Sequence, residues 1–120
     1  MTLSTNNKGG HSSIPRKDNA IYDLADAIKK IQAYDFPISL NQTTRATLEF
    51  ALKDANDSKK LEIRSILNGT QSDLAIIEKD PELNAIVRTT CVVTKLKAGH
   101  AENALPVSAT ATLNCRILPQ

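Results

Sequence analysis

The clearest pattern in the chain is a strict alternation near its C-terminus. Val107, Ala109, Ala111, Leu113, Cys115 and Ile117 fall on one side, and Ser108, Thr110, Thr112, Asn114 and Arg116 on the other. Successive strand side chains point to opposite faces, so this segment predicts a β-strand with one apolar and one polar face. The β-branched run within Thr89 to Ala98 predicts a second strand, and the two make an antiparallel hairpin whose long loop is residues 99–106. Upstream the period becomes helical. Ile21, Leu24, Ala25, Ile28 and Ile31 recur at helical spacing between Asp18 and Tyr34, with Asp18 as the cap and Pro37 as the stop. From residue 41 to 87 the pattern stays helical but broken. Ala46, Leu48, Phe50, Ala51 and Leu52 form one segment, and Leu61, Ile63, Ile66 and Leu67 another, closed by Gly69. A third segment starts near Ser72 and carries Leu74, Ile76 and Ile77, until Asp80-Pro81 opens a new short helix with Leu83, Ile86 and Val87. Proline is tolerated in a first helical turn, which makes Asp80 its cap. Residues 2–8 predict a short strand ended by Gly9-Gly10, with Leu3 its only large apolar residue.

A chain of 120 residues is one domain's length, enough to bury a real core without staples. The net charge of +2 is spread along the chain, with no basic block. Lys29-Lys30 and Lys59-Lys60 have acids nearby (Asp26, Asp57, Glu62) and read as solvated helix faces. That pattern leaves no nucleic-acid footprint. Single-stranded RNA binding on the sheet is disfavoured further, because Tyr22, Tyr34, Phe36 and Phe50 all lie outside the two C-terminal strands, leaving no stacking platform there. No apolar run approaches the roughly 18–20 residues of a spanning helix, and membrane binding is not indicated. The N-terminus has neither the basic start nor the apolar core of a secretory signal. Both ends read as cuts in a longer protein, so a targeting segment is free to lie upstream. Cys91 and Cys115 are too few for a disulfide scaffold. In a hairpin centred near Asn103 they fall opposite each other, but cross-strand pairs often miss disulfide geometry, and buried free thiols are expected.

Few residues offer chemistry. His11 follows two glycines that let the backbone turn sharply, and Ser12 and Ser13 are placed to orient its ring. A surface or hydrogen-bonded structural role explains such a histidine as well as a functional one. Arg116 stands alone among Ser, Thr and Asn on the polar strand face, where a guanidinium can take a carboxylate in two parallel hydrogen bonds or simply be exposed. Asn103 either caps its turn or presents its amide to a ligand. His11, His100, Cys91 and Cys115 lack the close paired spacing of zinc ligands, so no metal site is expected within the chain. No carboxylate pair, nucleophile motif or phosphate-cradling loop is present.

The order of these motifs is specific: strand, Gly9-Gly10-His11-Ser12-Ser13-x-Pro15, long helix, strand, Gly99-x-x-x-Asn103-x-Leu105-Pro106, and a strand ending Asn114-x-Arg116. It resembles the lid, or dimerisation, domain of the zinc metallopeptidase family that includes aminoacylase, acetylornithine deacetylase, succinyl-diaminopimelate desuccinylase and glutamate carboxypeptidase. Gly9 to Ala20 and Arg88 to Pro119 are most similar to its carboxypeptidase S-like branch. The resemblance implies an α+β, ferredoxin-like two-layer sandwich, with an antiparallel sheet and helices on one face, here stopping after the third strand. Residues 1–120 would then be a single lid domain excised from a larger enzyme. The missing elements would leave apolar positions such as Leu113 and Ile117 uncovered, which invites pairing with another chain.

The resemblance also implies two zinc ions in a separate catalytic domain, hydrolysis of amide bonds in N-acyl amino acids or short peptides, and a homodimer formed through the lid. Alone, the chain would be inactive. By the same resemblance His11 reaches across the dimer to stabilise the oxyanion in the partner's active site, Asn103 contacts substrate, and Arg116 receives its terminal carboxylate. The second loop departs from the family's glycine pair, having Gly99-His100, and His100 reads as a substitution rather than an added contact. Secreted and vacuolar relatives make an exported parent plausible. The competing reading is a non-enzymatic ferredoxin-like interaction module, with His11 and Arg116 as surface groups.

Overall fold

Five strands and five helices follow one another in a computed structural model that describes residues 1–69 and 73–119. In chain order they are β1 (Thr2–Asn6), β2 (Gly10–His11), α1 (Ala20–Ala33), α2 (Gln42–Ala51), α3 (Asp57–Asn68), α4 (Asp73–Lys79), α5 (Pro81–Val87), β3 (Thr90–Ala98), β4 (Ala104–Leu105) and β5 (Ser108–Arg116). Two units result, one from residues 1–35 and 91–115, the other from residues 36–90 and 116–120.

The first unit is a three-stranded sheet in the order β1-β5-β3, with α1 packed on one face. The alternation read from the sequence accounts for that face. Ala109, Ala111 and Leu113 of β5 pack against Ala20 and Leu24 of α1, with Leu3, Ile28, Ile31, Val93 and Cys115 completing the cluster. Leu113 is therefore buried, at 7% exposure, and is not the uncovered position expected of it; Ile117 is exposed. The correction has a simple cause, since the α1 face alone is enough to cover β5. That face runs through Ala20, Leu24, Ile28 and Ile31, while Ile21 points outward at 41% exposure. Alanines at 20, 109 and 111 leave helix and sheet little side-chain bulk to separate them. Across that narrow gap the Thr5 hydroxyl donates to the Ala20 carbonyl at 2.6 Å.

β1 and β5 run antiparallel in the register Thr2↔Thr112 through Asn6↔Ser108. β3 and β5 are also antiparallel, pinned at one point by the Thr94 hydroxyl on the Thr112 carbonyl and at another by a disulfide between Cys91 and Cys115. That bond overturns the expectation of free thiols. The hairpin is centred where predicted, so the two cysteines lie directly opposite, and the bridge closes.

The second unit is four helices around Leu48, Ile63, Ile66, Ile77, Leu83 and Val87, all essentially inaccessible. Phe50 and Leu61 share the apolar spacing of their segments but lie two residues away from Leu48 and Ile63, on the outer side, at 66% and 67% exposure. Helix starts are set by polar caps. The side chains of Asn19, Asn41 and Asn56 accept the backbone N–H of Ile21, Thr44 and Lys59 at 2.8, 2.9 and 2.8 Å. Such caps satisfy donors that the first turn leaves unpaired. Asn19, rather than Asp18, thus caps α1. Asp80 caps α5 as predicted, with Pro81 in the first turn, and Gly69 closes α3 at φ 71. The predicted helix start near Ser72 lies outside the described residues.

Candidate functional site

The segment carrying His11 is built by a break in pairing. The β1–β5 register continues one step past the strand, through the Asn7 N–H on the Val107 carbonyl at 2.9 Å. Pairing then resumes as β2–β4, with Gly10 opposite Leu105 and His11 opposite Ala104. Between these pairs, two residues, Lys8 and Gly9, face one, Pro106. This is a β-bulge, the irregularity that bends a strand and re-aims the side chains beyond it. β1 thus ends at Asn6, ahead of the glycines, and the chain resumes pairing past Gly9 as the separate strand β2. Gly9 has φ 73, and a Cβ there would lie 2.7 Å from the Val107 Cγ1 and 3.2 Å from the Leu105 carbonyl oxygen. Only glycine fits both the dihedral and the space.

Beyond the bulge, Ser12 donates its N–H to the Asn103 carbonyl at 3.0 Å. Two of the three residues singled out from sequence are thereby joined: His11 sits in the short ladder, and Asn103 ends it on the other strand. The imidazole is oriented by Ser13, whose N–H reaches Nδ1 at 3.1 Å and whose Oγ lies 2.6 Å from the same nitrogen. A nitrogen that accepts a backbone N–H carries no proton, so in the neutral ring thus assigned Nε2 bears the hydrogen. His11 is exposed, and among the described residues no hydrogen bond engages its Nε2. Asn103 is exposed too, and among the described residues its side chain enters no hydrogen bond. The turn is closed by its backbone.

A network absent from the sequence reading ties the loop down from below. Arg16 donates from Nη1 to the Gly9 carbonyl at 2.8 Å, from Nη2 to Asn7 Oδ1 at 2.7 Å and from Nε to Asp18 Oδ1 at 3.2 Å. Asn7 also accepts the Gly9 N–H at 3.0 Å and donates from Nδ2 to Asp18 Oδ2 at 2.9 Å. The Asn7 amide, with the Arg16 charge in support and desolvation in opposition, holds the Asp18 carboxyl below its ordinary value of 3.8. The available signal was the Arg16-x-Asp18 pair following two glycines, where one guanidinium has several acceptors in reach.

Arg116 is the last residue of β5 and belongs to the second unit. It is exposed, and among the described residues no hydrogen bond or ion pair engages it. His100, beside Gly99 at φ 83, is exposed in the loop between β3 and β4. Among the described residues no group of three or more His, Cys, Asp or Glu is placed to hold a metal ion, and both cysteines are consumed in the disulfide. The described residues therefore do not fit a zinc site.

The family model described as the peptidase dimerisation domain of M20 matches residues 1–120. Among curated proteins, the chain is 31% identical over 119 residues to a probable carboxypeptidase S-like protein 2 of Dictyostelium discoideum, covering 99% of this chain and 23% of that protein. It is 33% identical over 123 residues to the N-fatty-acyl-amino acid synthase/hydrolase PM20D1 of Homo sapiens, covering 99% and 24%. The chain thus spans about a quarter of the length of these relatives. Among solved structures, an M20 family metallo-carboxypeptidase from Sulfolobus solfataricus shares the fold at a TM-score of 0.53 and 23% identity, over 98% of this chain and 34% of that one.

Proposed function

The chain belongs to the M20 peptidase dimerisation domain family, and we propose that it is the substrate-facing lid of a homodimeric, zinc-dependent hydrolase acting on amide bonds of N-acyl amino acids or short peptides. The observation that carries this reading is the pairing of His11 against Ala104, next to Asn103, with the imidazole's Nδ1 occupied by Ser13. The arrangement leaves a preorganised Nε2–H donor on β2 and, in the turn before β4, an amide that no hydrogen bond among the described residues engages. Donors fixed before reaction stabilise an oxyanion without the cost of reorienting as charge develops.

In this reading His11 donates Nε2–H to the oxygen of the tetrahedral intermediate, Asn103 orients the acyl portion, and Arg116 pairs with the free carboxylate. Similarity to an N-fatty-acyl-amino acid synthase/hydrolase and to a probable carboxypeptidase S-like protein supports substrates that carry such a carboxylate. The two zinc ions belong to a catalytic domain elsewhere in the parent protein, and this chain ligates neither. The lid contributes binding and electrostatics, and it brings His11 to the neighbouring subunit's site.

The deciding experiment uses the full-length parent. His11→Ala is expected to lower kcat by about 10² to 10³, the usual scale for one lost oxyanion donor, with KM little changed. Unchanged turnover would remove His11 from the mechanism.

A further inference from the structure

We propose that Arg16 is a positioning residue for His11, locking the bulged loop from Asn7 to Asp18 so that the imidazole is presented at a fixed place without Arg16 itself touching substrate. The inference rests on the proposed role of His11. It starts from a mechanical difficulty in that role. His11 follows two adjacent glycines, the residues with most conformational freedom to lose, and lies beyond a bulge where regular pairing has failed. A ladder of two residue pairs is a weak tether for a group that must meet an oxyanion accurately.

Arg16 supplies what the ladder lacks. Its three nitrogens reach the Gly9 carbonyl and the Asn7 side chain before His11, and the Asp18 carboxylate after it. One planar group thus joins both stems of the loop. The Asn7 amide closes the ring of contacts by bonding Gly9 N–H and Asp18 Oδ2. Gly10 makes room for this. A Cβ there would stand 3.1 Å from the Arg16 Nη1, so the absence of a side chain lets the guanidinium lie against the backbone. Arg16 forms no hydrogen bond with the His11 ring; its hold passes through the backbone at Gly9. Lysine carries its three donors on one nitrogen at the end of a flexible stem, and lacks the planar fork that reaches separated acceptors.

The test uses the full-length parent with Arg16→Ala, Arg16→Lys, His11→Ala and the double variant His11→Ala/Arg16→Ala. Misplacing a catalytic group by about 1 Å can cost about 10²-fold. Arg16→Ala is therefore expected to lower kcat by roughly that factor with KM little changed, and Arg16→Lys to fall short of restoring it. In the His11→Ala background the Arg16 substitution should have no further effect, because a positioning residue has nothing left to position. Hydrogen exchange should rise in residues 9–13 and stay unchanged in α1 and α2, which separates loop release from general unfolding.

The inference is overturned if Arg16→Ala leaves kcat intact while His11→Ala abolishes most of it, if the two losses multiply in full, or if loop protection is unchanged. If His11→Ala itself has no effect, the role proposed for His11 fails instead. Exchange in residues 9–13 then decides alone whether Arg16 holds the loop, and unchanged protection sinks that as well.

Discussion

His11 Nδ1 accepts the backbone N–H of Ser13 at 3.1 Å, so the ring's orientation is fixed by a main-chain group that only a proline at position 13 would remove. The Ser13 hydroxyl, 2.6 Å from the same nitrogen, is an additional donor. Ser13→Ala is accordingly expected to keep the Nε2–H tautomer and to cost about one neutral hydrogen bond, roughly 1 kcal/mol or fivefold in turnover of the parent. Imidazole nitrogen chemical shifts read the tautomer directly. A proton found on Nδ1 in the unsubstituted chain would contradict the geometry.

Arg116 invites a substrate-dependent test. Its guanidinium is exposed at the end of β5 with no partner among the described residues, which leaves its fork available to an incoming anion. A hydrogen bond to a charged group contributes about 1.5 to 3 kcal/mol. In the parent enzyme Arg116→Ala should therefore lower kcat/KM by roughly 10- to 100-fold for substrates with a free carboxylate, and much less for the matching C-terminal amides. Equal losses on both would count against carboxylate recognition.

How much of this was legible in the sequence depended on whether the cause was local. Alternation in β5 is a property of the strand itself, and Ala109 and Ala111 are buried as their spacing required, whereas the burial of Leu113 depended on α1, which packs across the sheet face. Asp80-Pro81 and Gly69 act within one helical turn and were readable for the same reason. Asn19 was not, because Asp18 beside it is as good a cap by residue type. What decides between them is that Asp18 is already engaged by Asn7 and Arg16, a contact across the bulge. The bulge itself was hidden because Lys8-Gly9 opposite Pro106 emerges only when the registers of two separate strand pairs are compared. The motif order singled out His11 and Asn103, whereas the Arg16–Asn7–Asp18 network joins residues whose proximity only the folded loop reveals.

The Cys91–Cys115 bridge changes the chemistry expected of the chain. It closes a segment with a sequence separation of 24, for which restriction of the unfolded ensemble gives a stabilisation of about 3.5 kcal/mol. Reduction, or Cys91→Ala/Cys115→Ala, should lower the denaturant midpoint by that equivalent, with the largest gain in exchange along β3. Disulfides persist in oxidising compartments and are lost in reducing ones, so the bridge makes the chain's stability redox-dependent. Alkylation of the denatured, unreduced protein should label neither cysteine. Labelling of both would show the thiols to be free.

A final prediction concerns pH and the α3–α5 junction. Lys59 Nζ lies 2.8 Å from Glu82 and 3.3 Å from Asp80, and Asp80 at the same time caps α5 through the Glu82 and Leu83 N–H groups. Partial burial pushes the Asp80 carboxyl up. The Leu83 N–H, Lys59 and the Glu82 N–H outweigh it and hold the group below its ordinary 3.8. A carboxyl lowered by folding contributes stability above its unfolded value and loses it as pH falls through the folded one. The Asp80 contribution should therefore be intact at neutral pH and vanish below 3.8. Lys59 is raised above 10.5, chiefly by Glu82, so its share is present below that value and is lost only as alkaline pH passes the folded one. Both side chains are partly exposed, at 29% for Lys59 and 23% for Asp80, so solvent keeps the ion pair weak and the cap should dominate. Asp80→Ala is expected to cost about 1 kcal/mol at neutral pH, and Asp80→Asn, which retains a capping oxygen, distinctly less. Urea midpoints at neutral and acid pH separate the two contributions. The acid-sensitive part should disappear in both variants, while the cap survives only in Asp80→Asn.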